Sequence, residues 1–457
     1  MLSRFPIFFK VLMIALITLL ISIALGMIES KIRERSNLQA DVQNDIARSA
    51  SGAQTLAGPY FVLEYKLKKH TQTEDDKGNI KITESIEGPF TEIISPKDLK
   101  IEAKANVETR SRGIYKAMLY NLNSQVSGSF HVPESYGINK PLADIIPISA
   151  SVQMTLSDAR GLRNSPKLTL NNSQIEFEAG TSRSLGNGIS AYLSELDFSK
   201  AHDLNFSFPL ELQGMSALSI TPVGKTTKMK LASSWPHPSF TGAYLPRSHV
   251  ITDKGFSAEW QVSALARNSY MNNSPSAQQP STQNAATDAV IAAAQELTSV
   301  DSFSVNFIEP VNIYQQAERA VKYGIMFIVL LFAAFFLFEM LLKLPIHPMQ
   351  YLLVGLSMAM FFLLLISLSE HISFLNAYIT AGFSCVVLIG VYLTGLLKTR
   401  KTAWLFASGI AMLYALLYGV LQSEDNALVM GALVLFGGLA TVMLLTRKLD
   451  WYNLNAA

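Results

Sequence analysis

Five runs decide the fold: YGIMFIVLLFAAFFLFEMLL (323–342), YLLVGLSMAMFFLLLISL (351–368), FLNAYITAGFSCVVLIGVYLTGLL (374–397), AWLFASGIAMLYALLYGVL (403–421) and ALVMGALVLFGGLATVMLLT (427–446). About 20 apolar residues carry a helix across a bilayer's hydrocarbon core, and each run is close to that length. None has a charge at its middle, where one would cost about 2.5–3.5 kcal/mol on an insertion scale. A sixth run, VLMIALITLLISIALGMI (11–28), stands alone near the N-terminus. The lipid bilayer is therefore the first partner the sequence implies. The expected class is a six-span α-helical membrane bundle with a large, mostly-β domain inserted between spans one and two. The expected boundaries are a tail and first span at 1–28, the β domain at 29–322, spans two to six at 323–446 and a tail at 447–457.

Orientation follows from Lys and Arg in the short loops. Lys343, Lys398, Arg400, Lys401, Arg447 and Lys448 fall on one side; the alternate loops, around Glu370–His371 and Glu424–Asp425, have none. Both termini are expected in the cytoplasm and the inserted domain outside it. Lys31, Arg33 and Arg35 disagree, because they follow the first span directly and outnumber Arg4 and Lys10 before it. The five C-terminal spans fix the parity against that local signal. Ala24–Leu25–Gly26 faintly resembles a cleavage site, but the apolar run continues through Met27 and Ile28, so an uncleaved anchor is expected.

The middle region alternates with the period of half-buried strands. Leu204, Phe206, Phe208, Leu210 and Leu212 share a face; so do Phe256, Ala258, Trp260, Val262 and Ala264; so do Phe303, Val305 and Phe307. Tyr60–Lys66, Gln174–Glu178 and Lys225–Leu231 also read as strands. One β core or two packed subdomains fit equally. Leu38, Val42 and Ile46 recur every four residues, and Val311, Tyr314 and Val321 fit one helical face loosely, so helical stretches flank the domain, either as levers or as plain extensions. Residues 271–300 begin rich in Asn, Ser, Gln and Pro and read as a flexible insertion.

Charge excludes little: 37 basic against 35 acidic residues give no general affinity for nucleic acid. The lone Cys385 lies in an apolar run, so no intrachain disulfide exists. Hydrolase, metalloprotease and phosphate-loop signatures are absent, and the seven histidines show no metal-ligand spacing. No catalytic residue, metal or cofactor is expected. Trp235, Pro236, His237, Pro238 and Phe240 form either a stiff loop offered to a partner or a buried turn. Asp158 and Arg160 form either a turn with a local ion pair or an anion-binding motif. Glu339 and Lys343, four apart on a helix, are expected to pair at the membrane edge. Glu370 and His371 form either a proton-responsive pair or a solvated loop.

Several of these segments carry a resemblance along nearly the whole chain. SGAQTLAG (51–58), SDARG (157–161), SWPHPSF (234–240) with Tyr244–Leu245–Pro246, YQQAERAVKY (314–323), HPMQYLLVGLS (347–357), SLSEH (367–371) and LTRKLDWY (445–452) resemble, in order, the CreD family of cell envelope integrity proteins. The resemblance implies a Gram-negative inner-membrane protein with a periplasmic domain. It implies a part in envelope integrity and stress response, in colicin tolerance, and in the regulon of a sensor kinase and its response regulator. It supplies no catalytic residue. The expected function is thus non-enzymatic, exerted through contacts of the periplasmic domain with envelope proteins or lipids. The alternative is a transporter or lipid-handling protein with a groove between β domain and spans.

Overall fold

In the computed structural model, residues 6–74, 80–182, 185–194, 197, 199–267, 301–309, 312–342, 346–396, 400–422 and 427–447 are described. The expected insertion at 271–300, Lys343, Lys398, Glu424, Asp425 and the tail from Lys448 lie outside them. The chain forms two compact units, Met1–Asp41 with Val311–Ala457, and Val42–Pro310.

The helical unit begins with α1 (Pro6–Ser49). At 1.5 Å per residue its 44 residues extend about 66 Å, well beyond what one span needs. The periodicity at Leu38, Val42 and Ile46 is the continuation of this same helix. The other helices are α2 (Ile313–Leu342), α3 (Pro348–Ser369), α4 (Phe374–Leu396), α5 (Arg400–Gln422) and α6 (Ala427–Thr446). Among the described residues five helices are long and apolar enough to cross a membrane; α6 is apolar too, with a shorter stretch at Val429–Leu444.

Small residues set the close approaches. Gly355 of α3 lies beneath Ile21 and Phe332, so a Cβ there would collide with both. Ile17, Ile21 and Leu25 make the buried stripe of α1, while Leu16, Leu19 and Ile23 face outward. Gly431 and Gly438 of α6 lie nearest Tyr323 and Leu330 of α2. The equal spacing on both helices makes α6 run parallel to α2.

The β unit is two eight-stranded sheets. The first runs β13 (Pro238–Gly242), β16 (Phe303–Phe307), β11 (Ala217–Thr221), β1 (Gln54–Glu74), β5 (Ile145–Leu156), β9 (Gly188–Leu193), β8 (Glu178–Ala179), with β2 (Ile80–Ile94) beside β1. The second runs β14 (Ser248–Thr252), β15 (Gly255–Ser263), β12 (Thr226–Ser233), β3 (Asp98–Arg112), β4 (Tyr115–Val132), β10 (His202–Met215), β6 (Lys167–Leu170), β7 (Ser173–Glu176). Neighbours are antiparallel except β1 with β11 and β3 with β12.

One buried cluster draws on both sheets. Phe61 of β1 meets Phe130 of β4 at 6.1 Å between ring centres, and Trp260 of β15 stacks on Phe303 of β16 at 5.2 Å. The alternating residues of β10, Leu204 through Leu212, are all buried in it. Each such side chain removed from water contributes about 1.5–3 kcal/mol, which is why the alternation is so regular. A separate small cluster packs Ile46, Ala47 and Ala50 at the end of α1 against Ala117, Leu119 and Met215.

Candidate functional sites

Glu339 lies near the C-terminal end of α2, where the helix dipole opposes a carboxylate. Only 6% of its side chain is exposed. Such a group persists only if other contacts satisfy it. Three do: the Lys10 ammonium of α1, the Tyr351 hydroxyl, which donates at 2.8 Å, and the backbone N–H of Ile346 at 3.3 Å. The following motif builds the receiving surface. His347 caps α3, its Nδ1 accepting from Met349 N while Gln350 Oε1 accepts from His347 N; Pro348 starts the helix. One turn on, Tyr351 is buried against Phe332 and Phe335 with its hydroxyl on Glu339. The sequence spacing of Glu339 and Lys343 gives no hint of Lys10, 329 positions away.

Glu370 closes the other end of α3. Its side chain is 10% exposed, accepts from the Tyr314 hydroxyl at 3.2 Å and lies 3.7 Å from Arg35 of α1. Two residues earlier on α1, Arg33 bridges Glu29 at 2.6 Å and Glu318 at 3.7 Å, and Lys322 pairs with Glu318 at 2.9 Å. His371 is exposed. Glu370 and His371 are therefore adjacent in sequence but differently placed: the carboxylate is tied inward and the imidazole faces out. The arginines that seemed misplaced after the first span have acidic partners on α1, α2 and α3.

In the β unit, the segments 157–161 and 51–58 meet. Asp158 accepts from Gly52 N at 3.3 Å, from its neighbour Arg160 N at 3.1 Å, and from the Arg160 guanidinium at 2.9 and 2.7 Å. The Arg160 hydrogen bond holds the Asp158 carboxyl below the usual aspartate range. The same guanidinium donates to Arg48 O, an orphan carbonyl in the last turn of α1. Gln54 donates to Ser51 Oγ, Asp158 O and Gln213 O. Gly161 lies so close to Gln213 O and the Gln54 amide that no side chain fits there. The Asp158 and Arg160 side chains thus tie the turn to Gly52 and to the end of α1, and Gln54 ties it to β10.

The proline-flanked segment is pinned in a comparable way. Trp235 Nε1 donates to Ile308 O at 3.0 Å, and Ile308 N donates to His237 O at 3.3 Å. Trp235 and His237 meet edge to face at 6.0 Å. Phe240 enters β13 and packs on Phe256 and Trp260. Pro236 and Pro238 are half-buried, and only the His237 side chain in this group is exposed. Among the described residues no three His, Cys, Asp or Glu side chains gather as metal ligands.

The sequence segments thus meet in pairs, and the partners include the segments that carry the family resemblance. The family model for "Inner membrane protein CreD" matches residues 6–452. The protein of that name from Escherichia coli (strain K12) is 34% identical over 448 residues, which is 98% of this chain and 94% of that one. Among solved structures, a variant M1 zinc metallopeptidase from Deinococcus radiodurans is 8% identical with a TM-score of 0.20, covering 37% of this chain and 39% of that one. A yeast LTA4 hydrolase is 10% identical with a TM-score of 0.19, covering 48% and 30%. At that distance neither bears on fold or chemistry. The family match and the full-length relative decide the family instead: this chain belongs to the CreD family of inner membrane proteins.

Proposed function

We propose that the chain is an inner-membrane platform that holds its β unit in the periplasm and supports envelope integrity through contacts rather than catalysis. Both termini lie in the cytoplasm in this reading. The observation that carries it is the pairing of Glu339 with Lys10 and of Arg33 and Arg35 with Glu318 and Glu370. These contacts commit the two nearly covered carboxylates, Glu339 and Glu370, to joining helices, which suits an anchor better than a conduit. They also give the arginines after the first span a structural reason to stand where the loop-charge rule disfavours them. The six-to-zero distribution in the remaining loops then governs the orientation. In the β unit, Asp158, Arg160 and Trp235 are likewise occupied by structural hydrogen bonds.

The test is to purify the full chain in its native lipid and identify what accompanies it. A defined envelope protein recovered in constant ratio, and lost when exposed β-unit side chains are exchanged, supports the platform. Preparations free of any envelope protein, or substrate movement by the reconstituted chain, contradict it.

A further inference from the structure

Helices α4 and α5 leave a groove between them of about 340 Å³. Leu375, Ile379 and Phe383 of α4 line one wall, and Ala411, Ala415 and Tyr418 of α5 line the other. Its origin is local. Gly382, Ala411 and Ala415 are too small to fill the space that larger side chains close elsewhere in the bundle. A Cβ at Gly382 would meet nothing nearer than Phe361 and Tyr414 at 3.9 Å, so the space is real and unstrained. The floor is carbon: Tyr378 turns its hydroxyl to Tyr414 O at 2.8 Å, and its ring lies 5.1 Å from that of Tyr418. The rim is open sideways, with Ile379 58% and Phe383 69% exposed.

We propose that this groove holds one acyl chain of a bilayer phospholipid. Two observations select that occupant. First, the rim is continuous with the exposed apolar surface of α4 and α5, Leu388, Leu405 and Met412 among it, on helices long and apolar enough to lie in a bilayer. Second, the groove has the length of one leaflet. From Leu375 to Val386 α4 rises about 16 Å, half of a hydrocarbon core of about 30 Å. The groove occupies the first half of α4 and the second half of α5, so it belongs to the leaflet on the side of Glu370. A chain entering from that leaflet runs the groove's length, and water has no polar wall there to bind.

The experiment is native mass spectrometry of the full-length protein released from nanodiscs of a defined phosphatidylethanolamine. Wild type retains one phospholipid through gentle activation. Gly382→Leu and Ala415→Leu, which fill the groove, lower that adduct at least fivefold. Leu433→Ala, on the outward face of α6, leaves it unchanged. A folded wild type without the adduct overturns the proposal, as does an equal adduct in both filled variants. A dimer mass lost in the filled variants also overturns it, because the groove is then a protein interface. If the filled variants do not fold, wild type reconstituted with lipid brominated along its chains decides: bromine density beside Leu375–Val386 supports the proposal, and its absence overturns it.

Discussion

The helical unit and the β unit differ in where their most covered charges stand. In the β unit, apart from the Asp158–Arg160 turn, pairs such as Lys167–Glu176 across β6 and β7, 58% and 75% exposed, and Lys230–Glu259 across β12 and β15, 61% and 51% exposed, stand on sheet surfaces. Pairs in that setting contribute little, because water already solvates both groups and salt screens them. In the helical unit charges are few, and among the described residues two of the three carboxylates of other helices that meet α1 are almost covered, Glu339 at 6% and Glu370 at 10%, with Glu318 at 30%. A covered carboxylate is costly when its partner is removed. Both units bury apolar side chains; the comparison teaches that the helical unit adds nearly covered charge joints between its helices, where the sheet surfaces carry exposed pairs.

That contrast is open to mutation. The largest effect is expected from Glu339→Ala. It leaves the Tyr351 hydroxyl buried without its acceptor and Lys10 without its charge partner, and loss of about 3–5 kcal/mol follows for a broken buried pair. Thermal unfolding of the solubilised protein reads it. Combining it with Lys10→Ala should cost clearly less than the sum of the two single changes; strict additivity would show that the pair does not act together.

Asp158→Ala is expected to cost about 1.5–3 kcal/mol, the range for hydrogen bonds to a charged group. Its pH dependence has a definite sign. Arg160 lowers the folded carboxyl below its unfolded value, so its stabilisation is present above the ordinary aspartate range. It is lost as pH falls through that range to the lowered folded value. Unfolding midpoints measured from pH 7 downward should converge for wild type and variant; a gap that stays constant as the pH falls would contradict the assignment.

His347→Ala removes the cap of α3 and should cost about 1 kcal/mol, seen as a small fall in the melting temperature. Lys167→Ala should leave the melting temperature unchanged within error. If the exposed Lys167 mattered more than the buried Glu339, the contrast between the units would fail.

The sequence carried the architecture because period-two alternation and apolar runs of bilayer length are both written locally. Leu204–Leu212 and Phe303–Phe307 could be assigned from spacing alone. The joints could not, because each is a long-range contact between residues that look unremarkable where they stand. Lys10 reads as a basic residue before a span, and Glu339 as half of a local pair with Lys343. Nothing near either names the other. Arg33 and Arg35 were legible only as an anomaly, and Glu318 and Glu370 explain them. SDARG showed its turn plainly in sequence, yet its contact with Gly52 and Arg48 needed the fold.

The most direct test of the platform is its orientation. In a background with Cys385→Ser, a cysteine is introduced by Ser85→Cys on β2, where the position is exposed; in a second protein a cysteine is appended after Ala457. A membrane-impermeant maleimide is applied to spheroplasts, then to lysed cells. The account predicts labelling of the Ser85→Cys protein in spheroplasts and of the C-terminal cysteine only after lysis. The reverse pattern would place the β unit in the cytoplasm and contradict the account.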